Sequence, residues 1–529
     1  MKIFLEKFHR FLFYLLVLLL PVQLGKYFWP DWSFVNGIRI DYLAPTIYLT
    51  DILVVGILIC WGISAALKLK IKNQKLKTPA RRQARHIKNQ KAKEFWKTLF
   101  YSFITHYSLL ITIFFLLNIF FAQNRQVVIF KALKIIELVL LAFYVKNNIA
   151  IKQSKRKSFA LLKTFTSEEP RLTSEEVKAQ NFNSHLTSLF SITVIYTSLI
   201  AWVQFINQAS IGGLFWWLGE RTFVSSTPGI AQVILNGRLV LRPYGTFSHP
   251  NVLGGYIATV LPLIMINKKQ KTKNKKHILK IKKFLRTIAI CLGMTTLFIT
   301  YSRAAWVIGG MGIVAALKKK PKWLYGCMAI WFIVLLLLGG QRLGQLKFNS
   351  ESVQLRQQLN QTALTMIKKY PLFGVGLNNF IPSLPEFKKG LSFKELQPVH
   401  NIYLLIGAEM GLVGLGALLW LIVKAYQKLI SNCSNYSNYS KQAPNPKHQT
   451  SKKSLIEVLN IRNCLGQLEI RSIRNLAKAN TMPLFISLAC ILLLGLVDHY
   501  FFTLQQTQLL LAIVLGMVFG YDGIEQGSI

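Results

Sequence analysis

The chain has 529 residues, 52% of them hydrophobic, and several apolar runs approach or exceed the roughly 20 residues needed to cross a bilayer, which excludes a soluble globule. A formal net charge of +44 suits nucleic acid or anionic lipid. The lysines and arginines lie mostly in short stretches between apolar runs, without a basic-aromatic recognition motif, so membrane headgroups fit and a nucleic-acid partner does not. Six scattered cysteines form no CxxC pair, so neither a disulfide framework nor a metal site is expected, and no sequence signal calls for a cofactor.

In chain order, run length predicts about twelve spans, near 9–25, 46–67, 99–122, 127–146, 186–207, 250–267, 287–301, 303–317, 323–340, 400–424, 482–498 and 501–520. The first has basic residues before it but no small-residue cleavage site after it, and reads as an uncleaved span. With the N-terminus inside, the basic stretches 68–97, 146–184, 268–286, 318–322 and 424–480 all fall on the cytoplasmic side, as the positive-inside rule requires. The expected fold is therefore all-α, a polytopic transmembrane helical bundle with both termini cytoplasmic. It carries a large, partly helical extracytoplasmic loop. Four regions follow: 1–185, N-terminal spans with basic loops; 186–424, a core with outer loops 208–249 and 342–399; 425–480, a basic, partly disordered insertion; and 481–529, a C-terminal hairpin. Segment 350–369 alternates apolar and polar residues at helical spacing and is expected to lie along the outer surface. Trp216 and Trp217 beside Phe215 read as an interfacial aromatic belt or as a sugar-stacking platform.

Polar residues gather where spans begin on the outer side. Residues 242–251 read RPYGTFSHPN, an arginine, a glycine turn and His249 leading to Pro250, which favours the first position of a helix. Ser302 and Arg303 open the eighth span, His400 the tenth, and Asp498 and His499 stand at the turn before the twelfth. Helix N-termini carry partial positive charge and free N–H groups, so they attract anions. Arginine suits phosphate because its planar fork donates two parallel hydrogen bonds and stays charged. A lone arginine would snorkel to headgroups; two, Arg242 and Arg303, each on a turn before a helix N-terminus, favour an anion site. Tyr403, Gly407, Gly411 and Gly414 share a helical face with His400, so His400 is expected at the top of a packed face. It is either a satisfied core residue or a proton-handling group. Glu409, on the same helix, is an intramembrane carboxylate with either a functional role or a hydrogen bond to a neighbouring span. His249 either caps its helix or meets ligand. Asp498 can orient a sugar hydroxyl or pair with an arginine, and His499 reads as structural. These residues describe a membrane protein that binds an anionic, diphosphate-bearing ligand at the outer leaflet. Transfer and transport both remain open.

RPYGTFSHPNVLGGY, TYSRAAW, and YPLFGVGLNNF followed by HNIYLLIGAEMGLVG together resemble the O-antigen ligase and polymerase family of membrane glycosyltransferases. The resemblance covers about 200–420. It implies a metal-independent transferase in the cytoplasmic (inner) membrane, with its active site extracytoplasmic. Such an enzyme uses a polyprenyl-diphosphate-linked glycan, such as an undecaprenyl diphosphate one, and a lipid, saccharide or protein acceptor. Carried over by position, Arg242 and Arg303 would hold the diphosphate, and His400 would contact phosphate or act as base toward the acceptor hydroxyl. His249, Arg356, Asp498, Tyr244 and Asn401 would line the substrate site. The alternatives are a repeat-unit polymerase of the same family, a transporter or flippase of lipid-linked saccharide, and a scaffold acting through its basic loops. The long basic insertions depart from the family pattern.

Overall fold

A computed structural model describes residues 2–74, 118–149, 174–265, 276–316, 351–441 and 481–520. The expected span 323–340, most of 99–122 and most of the basic stretches lie outside these residues. The described chain is mostly helical, as expected. In order come α1 (Lys2–Leu18), β1 (Gly25–Tyr27), β2 (Phe34–Val35), β3 (Ile38–Arg39), β4 (Thr46–Tyr48), α2 (Leu49–Gln74), α3 (Arg125–Ile149) and α4 (Ser174–Asn207). Then follow β5 (Gln232–Leu235), β6 (Arg238–Leu241), α5 (Pro250–Ile264), α6 (Lys276–Ile299), α7 (Arg303–Ala316), α8 (Glu351–Lys369) and α9 (Phe380–Phe387). The last are α10 (Ile402–Lys441), α11 (Met482–Gly495), α12 (Tyr500–Thr503) and α13 (Gln505–Gly520). By length and composition Leu49–Leu67, His185–Asn207 and Ile402–Ile430 are long and apolar enough to cross a membrane. Pro250–Ile264, Arg303–Ala316, Met482–Gly495 and Gln505–Gly520 are shorter apolar helices.

Two compact units are present. The first comprises Met1–Leu141, Lys347–Leu418 and Gly495–Leu504, and the second Ala142–Leu346, Leu419–Leu494 and Gln505–Ile529.

In the first unit, the stretch between the first two expected spans folds into two small antiparallel pairs, β1 with β4 and β2 with β3. Asn36 and Gly37 both take positive φ between β2 and β3, the Asn-Gly turn that suits the right-handed twist of strands. Segment 350–369 is helical as expected. Its stripe Leu359, Ala363 and Met366 is fully buried with Phe380, Ile381 and Leu384 of α9, which turns an amphipathic sequence into the cover of a core.

The main departure from expectation is in α10. Helical geometry breaks at Gly411 (φ 66°, ψ −171°), where only glycine adopts the conformation without strain. The break frees backbone groups that must be satisfied away from water. Segment 371–376 satisfies them: Val375 N donates to Ala408 O at 2.9 Å, Gly376 N to Glu409 O at 2.9 Å, and Leu412 N to Pro371 O at 2.7 Å. Of the glycines on the expected packed face, Gly407 admits a neighbouring helix, α8, and Gly411 admits this loop. A Cβ on Gly411 would strike the Leu372 carbonyl, one on Gly374 the backbone of Glu409, and one on Gly407 would lie 2.9 Å from Ile367 Cδ1. Glu409 is buried and accepts from Asn378 N at 2.8 Å. Asn118 closes the loop, donating to Phe373 O at 2.9 Å and accepting from Leu377 N at 2.7 Å. The hydrogen bond of Glu409 goes to the loop at Asn378 and not to a neighbouring span.

In the second unit, α5 and α7 run parallel, because their contacts advance together along both. A Cβ on Gly254 would lie 2.9 Å from Ala305 Cβ; one on Gly309 would lie 3.0 Å from Ala258 Cβ; one on Gly312 would lie 3.5 Å from Pro262 Cγ. Small residues at this spacing let helices approach closely. The N-termini of α5 and α7 therefore lie side by side. Gly254→Val should force them apart at a cost of about 1–3 kcal/mol, read as a lowered Tm in detergent.

Candidate active site

Arg242 stands at the entry to α5. It is 8% exposed, donates from Nε to Thr300 O at 2.8 Å and from Nη2 to Asn251 Oδ1 at 2.6 Å. It thus ties the turn before α5 to the turn before α7, two motifs expected together at the outer starts of spans. Arg303 is exposed as the first residue of α7. Its backbone is set by a turn in which Tyr301 takes φ 50° and the Trp306 indole donates to Leu297 O at 2.9 Å.

His249 is the N-cap of α5: its Nδ1 accepts from Asn251 N at 3.1 Å, with Pro250 at the first helical position. Tyr244 accepts from Ala231 N at 2.8 Å and packs with Phe223 and Leu241. Burial raises its phenol above the usual range.

The Arg242–Tyr244–Gly245 turn rests on two residues that sequence reasoning missed. Gln204 of α4 accepts from Tyr244 N at 3.0 Å and Gly245 N at 2.7 Å, and donates to Gly245 O at 2.9 Å. Glu220, 3% exposed, accepts from Gln204 Nε2 at 2.8 Å and from the backbone N–H groups of Ile211 and Gly212. A buried carboxylate so fully hydrogen-bonded fixes its surroundings. The same loop carries Trp216 and Trp217, 52% and 61% exposed. No local motif marks Gln204 or Glu220, because their partners lie up to 41 positions away.

The first unit holds the second cluster. His400 lies two residues before α10 and places Nδ1 3.4 Å from Asp498 Oδ1. Asp498 Oδ1 also accepts from His499 N at 2.9 Å. The His400 and His499 rings lie 5.1 Å apart between centroids, so His499, read as structural, belongs to the cluster. Burial tends to raise the Asp498 carboxyl. The hydrogen bond and charge of His400, with the charge of Arg356, outweigh it and hold the group well below the ordinary carboxylate range. Burial pushes His499 down to about 3 against the pull of Asp498, which leaves the ring neutral at ordinary pH. Arg356, exposed on α8, is near enough for its charge to act on Asp498 and His499. Asn401 caps α10, accepting from Tyr403 N at 2.9 Å and Leu404 N at 3.0 Å, and donates to Leu496 O at 3.0 Å.

The arrangement offers an arginine beside two aligned helix N-termini in one unit. In the other it offers a histidine oriented by an ionised carboxylate. The first suits an anion and the second suits proton transfer. Residues 288–419 match the family model described as O-antigen ligase. No curated protein matches the chain. The matched stretch contains Arg303, Arg356, His400 and Asn401, while Arg242, Tyr244, His249 and Asp498 lie outside it. Together with the apolar helices it makes the chain a membrane protein carrying the O-antigen ligase family domain.

Proposed function

We propose that this member of the O-antigen ligase family transfers a glycan from a polyprenyl-diphosphate carrier to an acceptor hydroxyl at the outer face of the cytoplasmic membrane. The observation that carries the reading is the exposed Arg303 at the start of α7, with the start of α5 alongside. In the twelve-span topology, with both termini cytoplasmic, these helix starts face outward. Arg303 contacts the diphosphate. Arg242 adds charge from behind the α5 N-terminus and positions the turn. In the other unit, the charge of Arg356 acts on Asp498 and His499.

Asp498 accepts from His400 Nδ1–H, which leaves Nε2 to take the acceptor's proton. The acceptor oxygen then bonds to the anomeric carbon as the carbon–oxygen bond to the diphosphate breaks. The charge released on the diphosphate is stabilised by arginine and by the helix dipoles. No step calls for a metal ion.

Transport fits less well. Broken helices in transporters line a path, whereas the groups freed by the break in α10 are taken up by segment 371–376. The test is product analysis with labelled lipid-linked oligosaccharide in liposomes. A single addition to the acceptor identifies a ligase, a ladder identifies a polymerase, and intact donor in the presence of acceptors overturns the reading. In the same assay Arg303→Lys should lower kcat/KM about tenfold or more, because lysine cannot bind bidentately. Unchanged kinetics would assign Arg303 to headgroup contact.

A further inference from the structure

We infer that His400, Asp498 and His499 form a binding site for a divalent transition-metal ion, zinc above all. One nitrogen from each imidazole and one carboxylate oxygen lie within 4.8 Å of one another. The His400 Nδ1 to Asp498 Oδ1 separation is 3.4 Å. Two ligands on one tetrahedral zinc, with bonds of about 2.0–2.2 Å, stand about 3.4 Å apart. Closing a separation of 4.8 Å to that geometry takes a combined side-chain movement of about 1.4 Å.

The third ligand, His499, is held by Thr503. Thr503 Oγ1 lies 2.7 Å from His499 Nδ1. When Nε2 ligates an ion, Nδ1–H donates to this hydroxyl and holds the ring in place. A histidine whose second nitrogen is fixed by a hydrogen bond is the usual arrangement behind a metal. His499 is 4% exposed, so the cluster is mostly out of water.

Donor type decides which ion. Calcium and magnesium require six or more oxygen ligands, and this cluster offers one carboxylate. Two imidazoles and a carboxylate suit zinc and its neighbours, with a fourth position open. The charges of Arg356 and Lys131, both felt at His499, oppose every cation alike and lower affinity without changing that order. An ion bound here takes up His400 and Asp498, which the transfer proposed above uses as base and orienting carboxylate, so ion binding and that transfer exclude each other.

The test uses full-length protein purified without a polyhistidine tag and stripped by chelator, then titrated with Co²⁺ by visible absorption and with Zn²⁺ by calorimetry. Wild type should bind a single ion per chain, with zinc displacing cobalt and its spectrum. Thr503→Val keeps all three ligands and should weaken binding about 10- to 100-fold, and His499→Ala should abolish it. Absence of saturable binding by wild type overturns the proposal. So does binding unchanged in both His499→Ala and His400→Ala; the less buried His400 keeps the test readable should His499→Ala fail to fold. Ion binding is the readout, so a chain that binds no ion leaves the transferase reading intact, and one that transfers nothing still tests the site.

Discussion

Gly411→Ala is expected to cost at least about 3 kcal/mol and to leave little folded protein in detergent. Two penalties coincide. The residue sits at φ 66°, where a Cβ meets the following carbonyl. The added carbon would also fall against the carbonyl of Leu372, which cannot retreat. Pro371 O is bonded to Leu412 N, and the next turn is held to Ala408 and Glu409 through Val375 and Gly376. Displacing that loop would expose backbone groups buried in an apolar setting, each a further loss. Gly416, five positions on, has nothing within 4 Å of an added Cβ, so Gly416→Ala should melt close to wild type. Thermal melts followed by tryptophan fluorescence check both. Equal melting of the two variants would mean that the break in α10 does not bear on stability.

His400→Ala is expected to lower glycan transfer about 10²- to 10⁴-fold, the range for loss of a positioned general base, with little change in Tm because the ring is partly exposed. Asp498→Asn should have a smaller but clear effect, since it acts through the tautomer of His400. Asparagine can still hold His499 N, so the turn should survive. The decisive readout is kcat at saturating donor. A change confined to donor KM would place His400 on the phosphates and not on the acceptor proton.

The start of α5 was legible because Pro250, His249 and the apolar run that follows form a local pattern. The start of α7 and the amphipathic α8 were legible on the same grounds. Two hairpins were also written locally, in FVNGIR and VILNGRLVL, where Asn-Gly between apolar residues signals a tight turn; reading these stretches as loops passed over that signal. The break at Gly411 was not legible, because glycines at spacing three and four also mark an unbroken helix face. What separates the two cases is the loop at 371–376, which the chain supplies from 35 or more positions away. Gln204, Glu220 and Thr503 were invisible for a related reason. Each acts through hydrogen bonds to backbone or to a ring nitrogen, and such bonds leave no residue pattern. Arg242 was singled out for its charge, but the structure adds that Thr300 and Asn251 hold it. Its loss should therefore disturb the turn as well as the electrostatics.

The most direct test of the central claim is consumption of a labelled polyprenyl-diphosphate oligosaccharide by the purified chain in liposomes containing EDTA, with His400→Ala in parallel. The account predicts release of the diphosphate carrier by wild type, undiminished by the chelator, and almost none by the variant. Intact donor with both proteins, together with exchange of donor between leaflets, would contradict it and identify a transporter. Equal release by both would show that His400 takes no part in the chemistry.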